Sequence, residues 1–199
     1  MTRKTTELLT VMLLAALWPV AAVAETVAAG MVARLTGESE QPLAGIRLSL
    51  WLPGRSEPVA AATTDDNGYA VFRAQAGSYF VGGDITPLRD AGFGAGLSGD
   101  GKLFYLSGLT RLGEFGQTVV LKIEENQYLD VACLGDRRLP RLTIKQADTG
   151  IHVVTPHLGG QAARLFLPMR RTYQISHEQF LHPLAVYAGP GTQAIINLF

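Results

Sequence analysis

The sequence predicts an all-β fold: two tandem β-sandwiches behind a cleavable export leader. Three observations carry this. Segments in which apolar and polar residues alternate recur at intervals of roughly 8 to 12 residues, the spacing of sandwich strands. The 22 glycines and 10 prolines among 199 residues supply the turns between them. No segment sustains the 3.6-residue period of an amphipathic helix.

The leader comes first. Arg3 and Lys4 give a positive start, Leu8 to Leu17 is apolar, and Ala22-Val23-Ala24 is the small-x-small pattern a signal peptidase accepts. Residues 1–24 are therefore read as a signal peptide, with the folded chain starting at Glu25. The apolar run is too short to span a bilayer, and Pro19 follows it closely, which argues against an uncleaved anchor. No cysteine lies near the cleavage site, which argues against a lipoprotein. No later apolar run is long enough to cross a membrane, so no membrane insertion is expected after cleavage. The expected location is periplasmic or extracellular.

Charge excludes one class of partner. The chain has 17 basic and 17 acidic side chains, and losing Arg3, Lys4 and Glu7 with the leader leaves about −1. That is no electrostatic footprint for nucleic acid or anionic lipid. Cys133 is the only cysteine and has no internal partner for a disulfide. On an alternating segment with Leu129 and Val131 it reads as a small buried hydrophobe; an intermolecular bridge or a metal ligand is the alternative.

In the first half, Val27 to Leu35 forms a first strand. Gly45 to Leu52 is the cleanest: Ile46, Leu48, Leu50 and Leu52 point one way, Arg47, Ser49 and Trp51 the other. Pro58 to Thr63 reads as a short edge strand, because proline donates nothing to a ladder. Asp65-Asp66-Asn67-Gly68 is a tight turn, with Asn-Gly supplying the positive φ angles it needs. Gly68 to Arg73 and Ser78 to Gly82 follow. Gly92 to Gly101 reads as a floppy surface loop. Its Gly-x-Gly is no phosphate cradle, since no buried parallel strand precedes it and no helix pattern follows. Leu103 to Leu106 and Gln117 to Ile123 close the half.

The second half echoes the first. Val131-Ala132-Cys133-Leu134-Gly135 matches Val32-Ala33-Arg34-Leu35-Thr36. Leu139-Pro140-Arg141-Leu142-Thr143-Ile144 matches Leu43-Ala44-Gly45-Ile46-Arg47-Leu48. Gln161 to Leu167 takes the place of the strand after Gly68. Arg171-Thr172-Tyr173-Gln174-Ile175 matches Gly77-Ser78-Tyr79-Phe80-Val81, and Thr192 to Phe199 stands where Gln117 to Ile123 stood. Each echo is weak, but their order is kept, which places a boundary near Glu124 to Gln127: one unit over 25–124, a shorter one over 125–199.

Three motifs of the first half, Pro42-Leu43-Ala44-Gly45, Thr64-Asp65-Asp66-Asn67-Gly68 and Ala76-Gly77-Ser78-Tyr79-Phe80-Val81, resemble the carboxypeptidase regulatory-like family. That family is a prealbumin-like (transthyretin-like) sandwich of the broader Ig-like kind. Ala76 replaces the usual proline. The resemblance spans about Val27 to Ile123, and the second half only suggests the same fold, since Pro156 to Gly160 lacks the Asp-Gly turn. It implies two tandem seven-stranded prealbumin-like sandwiches, and a non-catalytic extracytoplasmic module that binds, spaces or assists a partner. Enzymes on this fold do not match. Ring-cleaving dioxygenases need two Tyr and two His around iron, and hydroxyisourate hydrolases need a Tyr-Arg-Gly-Ser tail where this chain ends Ile196-Asn197-Leu198-Phe199. No Gly-x-Ser-x-Gly elbow is present, and His177-Glu178-Gln179-Phe180-Leu181-His182 is one residue too long for a zincin helix.

Three groups of residues are weighed as sites. His152, His157, His177 and His182 all fall in the second half, with Cys133 and Met169. Their spacing is irregular, so no metal site is assigned, and His177 with His182 is the pair to test for copper or zinc. Asp65, Asp66 and Asn67 lack the closing Glu of a calcium loop and are read as turn formers. Trp51, Tyr69, Val71 and Phe80 alternate with the core-facing Leu50, Ala70, Phe72, Tyr79 and Val81. Large apolar groups on an outer face mean contact, with the second sandwich or with another protein. Trp51, Tyr69 and Phe80 are thus the candidate partner-binding residues.

The function read from sequence is a non-catalytic exported binding or structural accessory module, without a cofactor and with another envelope protein as partner. The alternative is a periplasmic metal-handling protein. The leader reading has a direct check: mass spectrometry of the exported protein should find Glu25 at its N-terminus, and an intact Met1 there overturns it.

Overall fold

The computed structural model describes residues 29–97, 100–112, 118–133, 138–139, 141–176, 183–188 and 194–198. The first half has eight strands: β1 (Ala29–Thr36), β2 (Arg47–Trp51), β3 (Ala60–Thr63), β4 (Tyr69–Ala74), β5 (Gly77–Asp84), β6 (Lys102–Leu106), β7 (Thr110–Leu112) and β8 (Thr118–Lys122). The second adds β9 (Leu129–Cys133), β10 (Thr143–Gln146), β11 (His152–Val154), β12 (Ala162–Phe166), β13 (Arg171–Ser176), β14 (Leu184–Ala188) and β15 (Ala194–Leu198). A short 3₁₀ turn at Thr86–Ala91 is the only helix among the described residues, and none is long and apolar enough to cross a membrane.

The two halves repeat one strand order. In the first, β1 lies between antiparallel β4 and parallel β8. In the second, β9 lies between antiparallel β12 and parallel β15. Likewise β3-β2-β5, flanked by β6 and β7, recurs as β11-β10-β13-β14. The halves are joined by a pairing that local patterning does not announce. Strand β12 pairs in parallel with β6, Leu165 opposite Phe104. One sheet therefore runs β15-β9-β12-β6-β5-β2-β3 across the molecule.

This makes three layers with two cores. On one face of the long sheet, β4-β1-β8 covers Leu48, Leu50, Tyr79, Val81, Leu103 and Tyr105. On the other, β11-β10-β13-β14 covers Trp51, Phe80, Phe104, Leu106, Leu129 and Leu165. Strands near the junction are buried on both faces, so their alternation disappears: Leu103 to Leu106 and Ala162 to Phe166 are all buried.

Side-chain bonds at equivalent places keep the repeat. The Thr64 hydroxyl accepts from the Ile46 N–H (2.9 Å) and donates to the Leu43 carbonyl (2.7 Å). Thr155, fully buried, accepts in the same way from the Leu142 N–H (2.9 Å). Tyr79 donates its hydroxyl to the Gln75 carbonyl (2.8 Å) and Tyr173 to that of Pro168 (2.7 Å), each returning to backbone just upstream. One echo is out of step. Val131 is buried in a core whereas Val32 is not, Ala33 being the inward residue, so the match on that strand is shifted by one position.

The Asp65 turn forms where expected, with a positive φ at Gly68 alone and not at Asn67 as well. The Asp65 carboxylate accepts from the N–H groups of Asn67 and Tyr69, both at 2.9 Å. Gly68 has φ +77°, and a Cβ there would lie 2.5 Å from the Leu35 carbonyl oxygen, so only glycine fits.

The Gly92 to Gly101 stretch departs from expectation. Its described part from Gly92 to Leu97 is anchored rather than floppy; residues 98 and 99 lie outside the described residues. Phe93 is buried edge-on against Phe166, with centroids 5.9 Å apart. Arg164 on β12 donates to the carbonyls of Phe93 (3.1 Å) and Ala95 (2.8 Å). The same guanidinium grips both oxygens of Asp130 (2.8 and 3.0 Å) and lies 3.5 Å over the Tyr128 ring. Local sequence gives no hint of this, because the arginine is about 70 residues away.

Arg164 is 3% exposed, so its charge depends on these partners. Removing one member of a buried pair strands the other. Asp130→Ala should cost about 3 kcal/mol, and Arg164→Met combined with Asp130→Leu should recover most of it. Denaturant melts measure both; a loss below about 0.5 kcal/mol for Asp130→Ala, the level of an unremarkable surface change, shows that Asp130 does not compensate the buried guanidinium.

Candidate contact surfaces and clefts

Strand β2 sends alternate side chains to opposite cores. Leu48 and Leu50 enter the first-half core, while Trp51 crosses to the other side. On β5, Phe80 does the same and stands opposite Trp51 in the ladder. Trp51 meets Phe104 edge-on, with centroids 6.2 Å apart and planes 66° apart. Both Trp51 (3% exposed) and Phe80 (5%) share a core with Ile144, Val153 and Tyr173 of the second half. Neither has surface left for another protein.

Two bonds close over that seam. The Gly54 N–H donates to the His152 carbonyl (2.7 Å), and Arg141 Nη1 lies 3.1 Å from Glu57 Oε1. The ion pair is exposed and adds little by itself.

Tyr69 belongs to a different surface, the outer face of β4-β1-β8, where it is 37% exposed. Val71 and Val120 beside it are 60% and 62% exposed. Register sets these groups side by side. Arg34 on the central strand faces Tyr69 on one flank and Val120 on the other, and Val32 faces Val71. The Arg34 guanidinium lies 5.6 Å from the centre of the Tyr69 ring, and its Nε is buried without a partner among the described residues. Arg73 and Lys122 share this face by alternation, and none of its described positions is acidic. Val120 was legible in principle: Leu121 faces in, so the period of two turns Val120 out.

Two clefts flank the seam. One, of about 260 Å³, opens beyond the ends of β6 and β12 and is lined by Tyr105, Ser107, Lys122, Glu124, Phe166 and Met169. Burial holds the Tyr105 hydroxyl well above its ordinary pKa, and burial does the same to Tyr173. The other, of about 250 Å³, lies where the second half leaves the β2–β5 surface, with Arg47, Ser49, Trp51, Glu57, Asp84 and Arg141 around it.

For metal binding, His177 and His182 lie outside the described residues. Among the described residues, no three His, Cys, Asp or Glu side chains converge to hold an ion.

No family model matches the chain. No curated protein matches it either. Solved structures overlap weakly. A Bacillus anthracis TIE protein is 18% identical over 86% of this chain and 33% of its own, at a TM-score of 0.30, so the chain spans a third of that protein. The shaft pilin SpaA of Lactobacillus rhamnosus GG is 9% identical over 85% of this chain and 96% of its own, at 0.30. Fervidolysin from Fervidobacterium pennivorans, a keratinolytic enzyme related to subtilisin, is 16% identical over 82% and 29%, at 0.32. Overlaps at that level identify neither a family nor a function.

The burial of Trp51 has a measurable consequence. Trp51→Ala in the whole chain should cost about 3–5 kcal/mol, as truncation of a buried aromatic does. In a Trp18→Phe background, where Trp51 is the only tryptophan, its emission should be that of an apolar site. Emission typical of a water-exposed indole overturns the packing of the second half over β2 and β5.

Proposed function

We propose that this chain is a non-catalytic, exported recognition and structural module, its first half of the carboxypeptidase regulatory-like type, that holds a protein partner on the outer face of β4-β1-β8. One observation carries the reading: Tyr69, Val71 and Val120 form an exposed apolar strip around Arg34, whose guanidinium lies over the Tyr69 ring and whose Nε has no hydrogen-bond partner among the described residues. Scattered apolar residues on a surface are ordinary, but a contiguous aromatic and aliphatic strip on a sheet face is a contact site. Its cations, Arg34, Arg73 and Lys122, fit a partner that sets carboxylates around apolar side chains. The partner is proposed to be another protein of the cell envelope. The export leader and the sandwich fold support this reading, as does the absence of any nucleophile–base constellation in the sequence motifs.

The test is retention of envelope proteins by immobilised protein, compared with the Val71→Asp, Val120→Asp double variant. Both positions are exposed, so each change should alter stability by only about 0.5 kcal/mol. A species held by wild type, released by rising salt and lost with the double variant is the expected result. Equal retention by both proteins, or no retained species, overturns the proposal.

A further inference from the structure

The edge of the four-stranded layer carries an inference independent of the outer face of β4-β1-β8. That layer runs β11-β10-β13-β14, so β14 has β13 on one side and no strand on the other among the described residues. An edge strand presents a row of unpaired backbone N–H and C=O groups, a template for another extended chain. Proteins commonly guard such a row with charge, with proline or by keeping the strand short. In the opposite layer, the edge strands β4 and β8 carry Arg73 and Lys122. Strands β3 and β11, edges of the other two sheets, have four and three residues. The five residues of β14, Leu184-Ala185-Val186-Tyr187-Ala188, include no charge and no proline. Leu184 and Tyr187 on it are 44% and 57% exposed.

The strand fits a copy of itself. A two-fold axis through Val186, its middle residue, sets two such strands antiparallel. Val186 then stands opposite Val186, Ala185 opposite Tyr187 and Leu184 opposite Ala188. Alternation points Val186 and Ala188 at the core and turns Ala185 and Tyr187 outward, so both members of each pair lie on one face. Away from the axis, every large side chain meets an alanine. Opposed residues also share their place in the ladder's alternation. Backbone groups that point away from β13 in one copy therefore meet their counterparts in the other. Charge does not oppose the approach, since the chain's 17 basic and 17 acidic side chains cancel and none lies on this strand.

We propose that β14 pairs antiparallel with β14 of a second copy, joining two four-stranded layers into one continuous sheet. Each copy offers the same strand, so the assembly closes at two. A five-residue ladder is small beside the roughly 1,200 Å² that a stable interface buries, so the dimer is weak and depends on concentration. The β4-β1-β8 layer lies across the long sheet from β14, and its outer face stays open in both copies.

Sedimentation equilibrium of the exported protein measures the dimer, and two charged variants locate it. Ala185→Lys with Tyr187→Lys sets ammonium groups opposite each other at both outward pairs. Ala185→Lys with Tyr187→Glu instead sets each ammonium against a carboxylate of the other copy. The first should dimerise about tenfold more weakly than the second, since like charges directly opposite destabilise a ladder and unlike charges support it. Both positions are exposed, so the fold is retained; an unchanged melting temperature in dilute solution checks this. A readout without substitution is hydrogen exchange, in which amides of β14 should exchange more slowly as protein concentration rises. A monomer mass at every concentration up to ~1 mM, the Kd of a marginal complex, overturns the proposal. So does equal self-association of the two variants, or a dimer in which exchange on β14 is independent of concentration.

Discussion

The parallel pairing of β6 with β12 is the constraint on which the molecule depends. A strand at the edge of a sheet exposes a row of unpaired backbone groups. Here the edge of the first half's sheet is closed by a strand of the second, so both halves lose an edge together. Burying β6 and β12 on both faces then demands a covering layer on each side, and the two remaining sheets supply them. The cost is a buried arginine at the joint. Arg164 is tolerable there because Asp130, the carbonyls of Phe93 and Ala95 and the face of Tyr128 surround its guanidinium.

This joint sets which surfaces are free to act. Trp51 and Phe80 are consumed within the chain, since the second half lies on them. The face carrying Tyr69, Val71 and Val120 belongs to the sheet that no other layer covers among the described residues, so it stays open. The cleft beside Trp51 is lined by residues of both halves.

Much of the architecture was legible locally. The alternation of Ile46, Leu48 and Leu50 fixed an inward face, and the Asp65 to Gly68 turn announced its place through Gly68 and an acceptor carboxylate, although Asn67 does not take the positive φ expected of it. Matching Tyr79 with Tyr173, and Ile46 with Leu142, found positions that the structure equips with the same bonds. The outward position of Tyr69 and Val71 followed from the same period of two. The anchoring of Gly92 to Leu97 did not, because glycine composition reports conformational freedom and says nothing about a distant donor that removes it.

The sequence by itself determined strands, turns, the export leader as an expectation and the sorting of side chains into two faces, since these follow from periodicity and from the φ preferences of a few residues. Tertiary structure alone decided that an outer face of one half becomes part of the other's core, that β6 meets β12, and that Arg47, Asp84, Glu57 and Arg141 surround one cleft. Those outcomes depend on pairing between segments some 60 residues apart. Hydrophobic pattern says that a face must be covered, but it does not say by what.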